Sequence, residues 1–206
     1  FSLFQLPLGV LLDRYGARSV QTVLLLTAAA GCLAFAAATN FPGLVVARAI
    51  IGLGFSAGLM ASYKSSSQWV SPERRSLANA TIVSAGALGI VVSTEPTSIL
   101  VAALGWRMAF VCFAGFIAAA ALFIFVAVPE KPNQTQPAPF RQQWQDMVKI
   151  MRLPLFWRVA PLLGISAGIP IAYQTLWAGP WFRDVAQLSP PDVARSLFWL
   201  AVAFML

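Results

Sequence analysis

The sequence has no histidine, and charged residues make up only 10% of its 206 positions. Soluble domains carry about 25% charged residues, so we do not expect a soluble globular domain. The two cysteines, Cys32 and Cys112, both fall inside apolar runs, where a free cysteine behaves as a small hydrophobe. Without histidine and with isolated cysteines, the chain offers no nucleophile–base pair and no metal-ligand set. We therefore expect neither an enzyme nor a metal site, and no cofactor.

Long apolar runs take the place of the missing charge, because hydrophobic residues make up 59% of the chain. Residues 20–38 and 108–128 carry almost no charge, and each run is close to the roughly 20 residues that a helix needs to cross a bilayer. Lipid satisfies no backbone hydrogen bonds, so several such runs in succession favour helices. The sequence predicts an all-α membrane protein, a polytopic helical bundle.

Turn residues divide this bundle into segments. Pro42 suits the first turn of a helix, Gly105 and Trp106 break an apolar run, and residues 129–139 are rich in Pro, Gln and Asn and indicate a linker. A short helix over residues 140–151 repeats its apolar residues with helical spacing, which is typical of a helix lying in the membrane interface. The predicted spans are 1–12 (partial), 20–39, 42–70, 77–104, 107–128, 155–181 and 192–206 (partial).

Both ends of the chain are expected to be truncations. Phe1 opens inside an apolar run, and Leu206 comes part-way through the last one. No signal peptide can be read from such a start.

The net charge of +7 comes from basic residues in the short joints between apolar runs. Nine of them fall on alternate joints that share one side of the membrane, and only Arg107, Arg183 and Arg195 fall on the other. The positive-inside rule makes the first side cytoplasmic, so the linker with its helix, residues 129–154, is expected in the cytoplasm. This placement accounts for the charge without nucleic acid. We expect an integral, multi-pass protein of a bacterial inner (plasma) membrane.

The first joint carries a motif that resembles the signature loop of the major facilitator superfamily, which lies between that family's second and third helices. The matching residues are Gly9, Leu11, Asp13, Arg14, Gly16 and Arg18, while Ala17 replaces the usual first basic residue of the closing pair. Independently of the family, Gly9 permits close approach of helices, and Asp13 can face a positive helix N-terminus.

Two further segments are similar to the same family. Arg48, followed by Gly52 and Gly54, resembles its fourth-helix motif, although Ile51 departs from the Gln often seen there. The Gly105-Trp106-Arg107 sequence resembles the join before its sixth helix. The resemblance covers the whole chain.

The resemblance implies a truncated major facilitator fold that runs from a partial second helix to a partial eighth. Residues 1–128 then form the N-terminal helical half, 129–154 the cytoplasmic linker, and 155–206 the start of the C-terminal half. It further implies a secondary active transporter that moves a small solute by alternating access, with the loop motif as part of the gate. Because no nucleotide-binding loop occurs in the chain, we expect ion coupling, with a proton as the coupling ion in symport.

Two alternative functions stay open. One is a membrane sensor or receptor that has the same fold and does not transport. The other is a drug efflux antiporter, but the glycine-proline pairing of drug antiporters is absent from the fifth helix, where Ser93-Thr94-Glu95-Pro96 stands after Gly86 and Gly89. Drug export is therefore not supported.

Charges within the membrane indicate where a site could lie, since a charge at the bilayer centre costs about 2.5–3.5 kcal/mol on the insertion scale. Arg48 lies about 9 Å and Glu95 about 13 Å from the outer ends of consecutive, antiparallel helices, at 1.5 Å per residue. The two opposite charges therefore sit at similar depth. They form either a substrate or proton site in a central cavity or a structural ion pair.

Three more residues complete the predicted site. Lys64 could line the cavity or extend to the cytoplasmic surface. Tyr173 and Gln174 belong to a polar-aromatic cluster in the seventh helix, for which an interfacial aromatic belt is the alternative. Two cations, Arg48 and Lys64, favour an organic anion as the substrate.

Overall fold

A computed structural model describes residues 2–129 and 140–205. Ten α-helices, connected by short turns, make up these two ranges, and neither range contains a β-strand. The helices are α1 (Ser2–Tyr15), α2 (Ala17–Ala37), α3 (Phe41–Gly54), α4 (Gly58–Trp69), α5 (Arg75–Val92), α6 (Glu95–Ala127), α7 (Phe140–Met151), α8 (Pro154–Ala172), α9 (Ala178–Asp184) and α10 (Pro190–Met205).

Within residues 2–129 and 140–205, five helical segments are long and apolar enough to cross a membrane. Their outward faces are strongly apolar: on α6, Phe116, Phe123 and Val126 expose 78%, 70% and 76% of their surface. A soluble monomer rarely exposes such a continuous apolar surface, whereas lipid solvates it. The prediction of an all-α, polytopic membrane bundle is confirmed. The five segments are Ala17–Ala37, Phe41–Trp69, Pro72–Val92, Glu95–Ala127 and Pro154–Asp184.

The start of α3, after Asn40, agrees with the prediction from the sequence. The Asn40 side chain accepts a hydrogen bond from the Gly43 N–H at 2.8 Å, which satisfies one of the free donors of a helix start. Pro42 stands in the first turn of α3, as predicted. The predicted span 42–70 is interrupted, however, because the helical path breaks at Phe55–Ala57 between α3 and α4.

The predicted span 77–104 is also divided. Helix α5 ends at Val92, and Ser93 and Thr94 turn their hydroxyl groups back to carbonyl oxygens three residues earlier, at 2.7 and 2.6 Å. Such side-chain bonds compete with the helical pattern, and α6 then begins at Glu95. The break expected at Gly105 is present, since this residue has φ 76° and ψ 156° inside α6.

The predicted span 155–181 is divided near its outer end. Helix α8 contains Pro161 and Pro170 and ends at Ala172, and a π-helical turn, Tyr173–Trp177, joins it to α9. Proline has no N–H to donate, and in membrane helices a local π adjustment can satisfy the carbonyl groups that are left without a partner. The helix predicted over 140–151 coincides with α7, while residues 130–139 of the predicted linker lie outside the described residues.

The chain divides by packing into two compact units. Unit 1 comprises residues 1–85 and 100–137, and unit 2 comprises residues 86–99 and 138–206. Unit 2 therefore groups the end of α5 and the start of α6 with α7 to α10. The division predicted from the linker, with boundaries at 128/129 and 154/155, stays a prediction.

The core of unit 1 is built from small residues that let helices approach closely. A Cβ atom at Gly54 of α3 would lie 2.5 Å from the backbone nitrogen of Ala28 in α2, and one at Gly31 would lie 2.9 Å from that of Ile51. This packing is typical of membrane helix pairs. A second cluster ties α1, α2 and α4 together through Leu8, Leu12, Val20, Leu24, Ala57 and Ala61.

Candidate functional site

The loop motif forms a tight turn between α1 and α2. Gly16 is the hinge of this turn, with φ 80° and ψ 157°, a backbone conformation that favours glycine. The motif glycine is thus required by geometry, which the sequence analysis did not derive. Gly9 differs: a Cβ atom there would have no neighbour within 4 Å in the described part of the chain. The close helix approach predicted at Gly9 is wrong for these residues.

Asp13 of the motif pairs with Lys64 of α4. The Lys64 Nζ atom lies 2.7 Å from Asp13 Oδ1 and also donates to the Leu12 carbonyl oxygen at 2.6 Å. The Lys64 side chain is 17% exposed and that of Asp13 is 51% exposed, so the cation is nearly buried and needs its carboxylate partner. Asp13, predicted to face a helix N-terminus, has this ammonium as a partner. The proposed substrate role of Lys64 stays a prediction.

The two motif arginines lie against aromatic rings. The Cζ atom of Arg14 is 5.6 Å from the Tyr15 ring centroid, and that of Arg18 is 4.5 Å from the Phe125 ring centroid in α6. Cation–π contacts of this kind contribute about 0.5–1 kcal/mol at exposed sites. Arg18 therefore links the start of α2 to the end of α6.

Arg48 lies in an aromatic setting on α3. Its Cζ atom is 5.1 Å from the Phe35 ring centroid and 5.8 Å from that of Phe110, and the two ring centroids are 4.4 Å apart. None of the described carboxylates of unit 1 lies within 4 Å of this guanidinium. Arginine keeps its charge under all ordinary conditions, so the site presents a permanent cation beside two aromatic rings, on a side chain that is exposed among the described residues.

Glu95, at the start of α6, belongs to unit 2 and faces a cation there. Its Oε1 atom lies 3.8 Å from the Nε atom of Arg195 in α10, and its side chain is 33% exposed. Sequence reasoning missed Arg195, which was counted only as a basic residue of a joint. It lies five residues after Pro190, about 7.5 Å into its helix at 1.5 Å per residue, and this depth was the available signal. The predicted pairing of Glu95 with Arg48 joins residues of different units and stays a prediction.

Tyr173 and Gln174 are the first two residues of the π-helical turn. Tyr173 is 47% exposed and Trp177, at the end of the turn, is 68% exposed, while Gln174 is half-buried. Single π turns inside helices frequently occur at functional sites. The structure thus places both predicted residues at an irregular point of the helix, and their contact with a substrate stays a prediction.

Comparison with known proteins establishes the family. The family model described as Major Facilitator Superfamily matches residues 1–206, the whole chain. The chain belongs to the major facilitator superfamily. This confirms the resemblance inferred from the loop motif and agrees with the all-α membrane fold described above.

Individual relatives are named transporters. The chain is 25% identical over 197 residues (95% of the chain and 41% of the relative) to the "Putative niacin/nicotinamide transporter NiaP" of Bacillus subtilis. It is 32% identical over 110 residues, 53% of the chain, to "Uncharacterized transporter YybO" of the same organism. It is 34% identical over 74 residues, 36% of the chain, to "Nitrate/nitrite transporter NrtP" of Nostoc punctiforme. The chain matches less than half the length of each of these relatives.

Proposed function

We propose that the protein is a secondary active transporter of a small anion, located in the plasma (inner) membrane of a bacterium. The observation that carries this proposal is Arg48, a permanent cation on a membrane-spanning helix that is bordered by Phe35 and Phe110. An intramembrane charge is costly and is a functional-site hypothesis by default. A transporter fits the family, whose relatives are named transporters. It also fits the residues of the chain, because transport needs no nucleophile or metal.

The chemistry around Arg48 supports an anion as the substrate. A guanidinium group binds planar oxyanions such as nitrate or carboxylate through two parallel N–H bonds. Two relatives bear names that include members of this class, since nitrate, nitrite and nicotinate (the deprotonated form of niacin) are small planar anions, while the second name also includes the neutral nicotinamide. The aromatic rings beside Arg48 provide faces on which a flat ligand can stack.

Proton coupling is proposed to involve Glu95. In the ionised form its carboxylate attracts Arg195, and protonation removes this attraction and releases the two helices that carry the residues. An acidic group with a nearby cation can therefore convert proton binding into a change of helix packing. If Glu95 pairs instead with Arg48 in another state of the cycle, the same protonation would free Arg48 for the substrate.

The Asp13–Lys64 ion pair is proposed as part of the gate. It joins the end of α1 to α4 across the loop motif, and alternating access requires contacts that exist in one state and break in the other. Because Lys64 is nearly buried in this arrangement, whereas Asp13 is already half-exposed, opening would mainly expose the lysine ammonium to water.

The proposal is tested with the full-length protein in proteoliposomes. Uptake of labelled nitrate and labelled nicotinate is measured against labelled nicotinamide, which has a similar size to nicotinate but no charge. We expect saturable uptake of at least one anion and a clear preference for it over nicotinamide. Uptake that a protonophore abolishes would support coupling to protons. Binding without any flux would point to a sensor, and equal transport of nicotinamide would contradict the anion class.

A further inference from the structure

A small cavity separate from Arg48 and Glu95 lies beside the loop motif. Its volume is about 210 Å³, and it is a partly open pocket lined by the first turns of α2, the middle of α4 and the end of α6. A water molecule occupies about 30 Å³ in the liquid, so the space suits a phosphate-sized group with a few waters. The lining residues are Ala17, Arg18, Gln21, Ala61, Ser62, Ser65, Ile124 and Val128.

Arg18 gives this cavity a positive charge that is incompletely satisfied. The Phe125 ring covers one face of its guanidinium at 4.5 Å, but a ring face accepts no hydrogen bond from the Nε–H in the plane of the group. That Nε atom is buried and has no hydrogen-bond partner among the described residues. No described carboxylate lies within 4 Å of Arg18 either. A buried donor without a partner is destabilising, so a ligand that accepts a hydrogen bond here would be favoured.

Other residues that line the cavity also favour a negatively charged ligand. Helix α2 begins at Ala17 and is 21 residues long, so the positive end of its dipole borders the cavity. The Gln21 Oε1 atom is buried and has no partner in the part of the chain that the structure describes, and a half-turn of its amide would present the NH₂ group instead. Ser65 adds a hydroxyl donor, whereas Ser62 already donates to the Gly58 carbonyl oxygen at 2.8 Å.

We propose that this cavity binds an oxyanion of the phosphate type, which Arg18, Gln21 and Ser65 hold beside the loop motif. Such a group comes either as a free ion or as the phosphate of an anionic lipid headgroup. The bound anion would neutralise Arg18 and join α2, α4 and α6 at this end of the bundle. The site is distinct from the proposed substrate site, because none of its lining residues contacts Arg48, Phe35 or Phe110 in the cation–π arrangement described above.

The test measures the melting temperature of the purified full-length protein in detergent during titration with inorganic phosphate. We expect phosphate to raise the melting temperature and Arg18→Gln to weaken the apparent affinity by about tenfold or more, since charge-assisted bonds are the strong ones. Arg74→Gln removes one charge from an exposed turn outside the cavity and serves as the matched control, with an unchanged response. A parallel series compares nanodiscs of phosphatidylglycerol with nanodiscs of phosphatidylcholine.

The outcomes identify the source of the bound phosphate group or overturn the proposal. An Arg18-dependent shift with inorganic phosphate identifies a free ion, and one seen only with phosphatidylglycerol identifies the lipid headgroup. If Arg18→Gln fails to fold, Ser65→Asp keeps the arginine and supplies a carboxylate in its place; we expect a raised melting temperature and no response to phosphate or phosphatidylglycerol. Responses that are equal in the wild type, Arg18→Gln and Ser65→Asp, or absent from the wild type, would show that no phosphate group binds in this cavity and would overturn the proposal.

Discussion

The Lys64 ammonium lies 2.7 Å from the Asp13 carboxylate and joins the loop motif to α4. A second contact, from the same ammonium to the Leu12 carbonyl oxygen, fixes the position of the lysine at the end of α1. These contacts place a nearly buried cation at the joint between two helices. They suggest that the motif acts through α4 as well as through its own turn.

Neutralising either member of this pair should impair transport more than insertion. We expect Asp13→Asn and Lys64→Gln each to insert normally but to lose about tenfold or more in flux. A tenfold loss in rate corresponds to about 1.4 kcal/mol in the free-energy barrier of transport. Arg14→Ala, in the same motif, should also lower flux. The measurement is initial uptake rate per unit of membrane-inserted protein. Arg74→Gln, an exposed basic residue of a neighbouring joint, is the control. Normal flux in both pair variants would leave the loop only a topological role.

Two glycines of α3 allow a matched test of the helix packing. Gly54→Ala should reduce the amount of folded protein strongly, because its Cβ atom would lie 2.5 Å from the backbone of Ala28, and overpacking typically costs about 1–3 kcal/mol or more. Gly52→Ala should be neutral or slightly stabilising, since a Cβ atom there has no neighbour within 4 Å among the described residues and alanine favours helix. The melting temperatures of the two purified variants test this directly. Equal stabilities would show that α2 and α3 do not pack as described.

The ion pair of Glu95 and Arg195 predicts different effects on proton coupling for a variant of each residue. We expect Glu95→Gln to abolish proton-dependent accumulation while exchange of substrate across the membrane continues, because a neutral amide cannot release a proton. Arg195→Gln should weaken coupling less, since the pair is 3.8 Å apart and Arg195 is largely exposed. The measurement compares accumulation with counterflow in each variant. Full accumulation by Glu95→Gln would exclude this residue as the coupling site.

Double variants distinguish the observed partner of Glu95, Arg195, from its predicted partner, Arg48. If Arg48 and Glu95 pair, each single neutralisation leaves an unpaired charge inside the membrane at a cost of about 2.5–3.5 kcal/mol on the insertion scale, and the double variant Arg48→Gln, Glu95→Gln should recover abundance. The corresponding double variant with Arg195→Gln should show little such recovery, because that pair is partly solvated. The reverse pattern would assign Glu95 to Arg195 alone.

The orientation of the bundle is tested through the linker. A cysteine at position 136, introduced as Gln136→Cys after Cys32 and Cys112 are replaced by alanine, should react with an impermeant thiol reagent only from the cytoplasmic side. The basic joints cluster on that side of the predicted topology. Labelling of intact cells from outside would contradict both the orientation and the helix count.

Much of the fold could be predicted because each membrane span has a length fixed by the bilayer and little charge. The spans of α2 and of the α3–α4 pair, the break at Gly105 and the helix Phe140–Met151 follow from these features. The division after Val92 was missed, because the hydroxyl groups of Ser93 and Thr94 disrupt the helix without a glycine or proline at that point. Apolar content alone does not reveal such a break.

The candidate site was less accessible from the sequence. The intramembrane charges Arg48 and Glu95 stood out by their energetic cost, but their neighbours did not. The rings of Phe35 and Phe110 come from two other helices, and Lys64 reaches a residue 51 positions away. Partners at such separations depend on how helices pack, and periodicity within one helix carries no information about that packing.

The central claim is that Arg48 binds a small anion which the protein carries across the membrane. The most direct measurement is saturable anion uptake by the full-length protein with Arg48→Gln and Arg48→Lys in parallel, each normalised to folded protein. We expect Arg48→Gln to lose uptake almost completely and Arg48→Lys to keep a small part with a raised KM, because an ammonium retains the charge but cannot form two parallel bonds. Uptake by Arg48→Gln at the wild-type rate and KM would contradict the account.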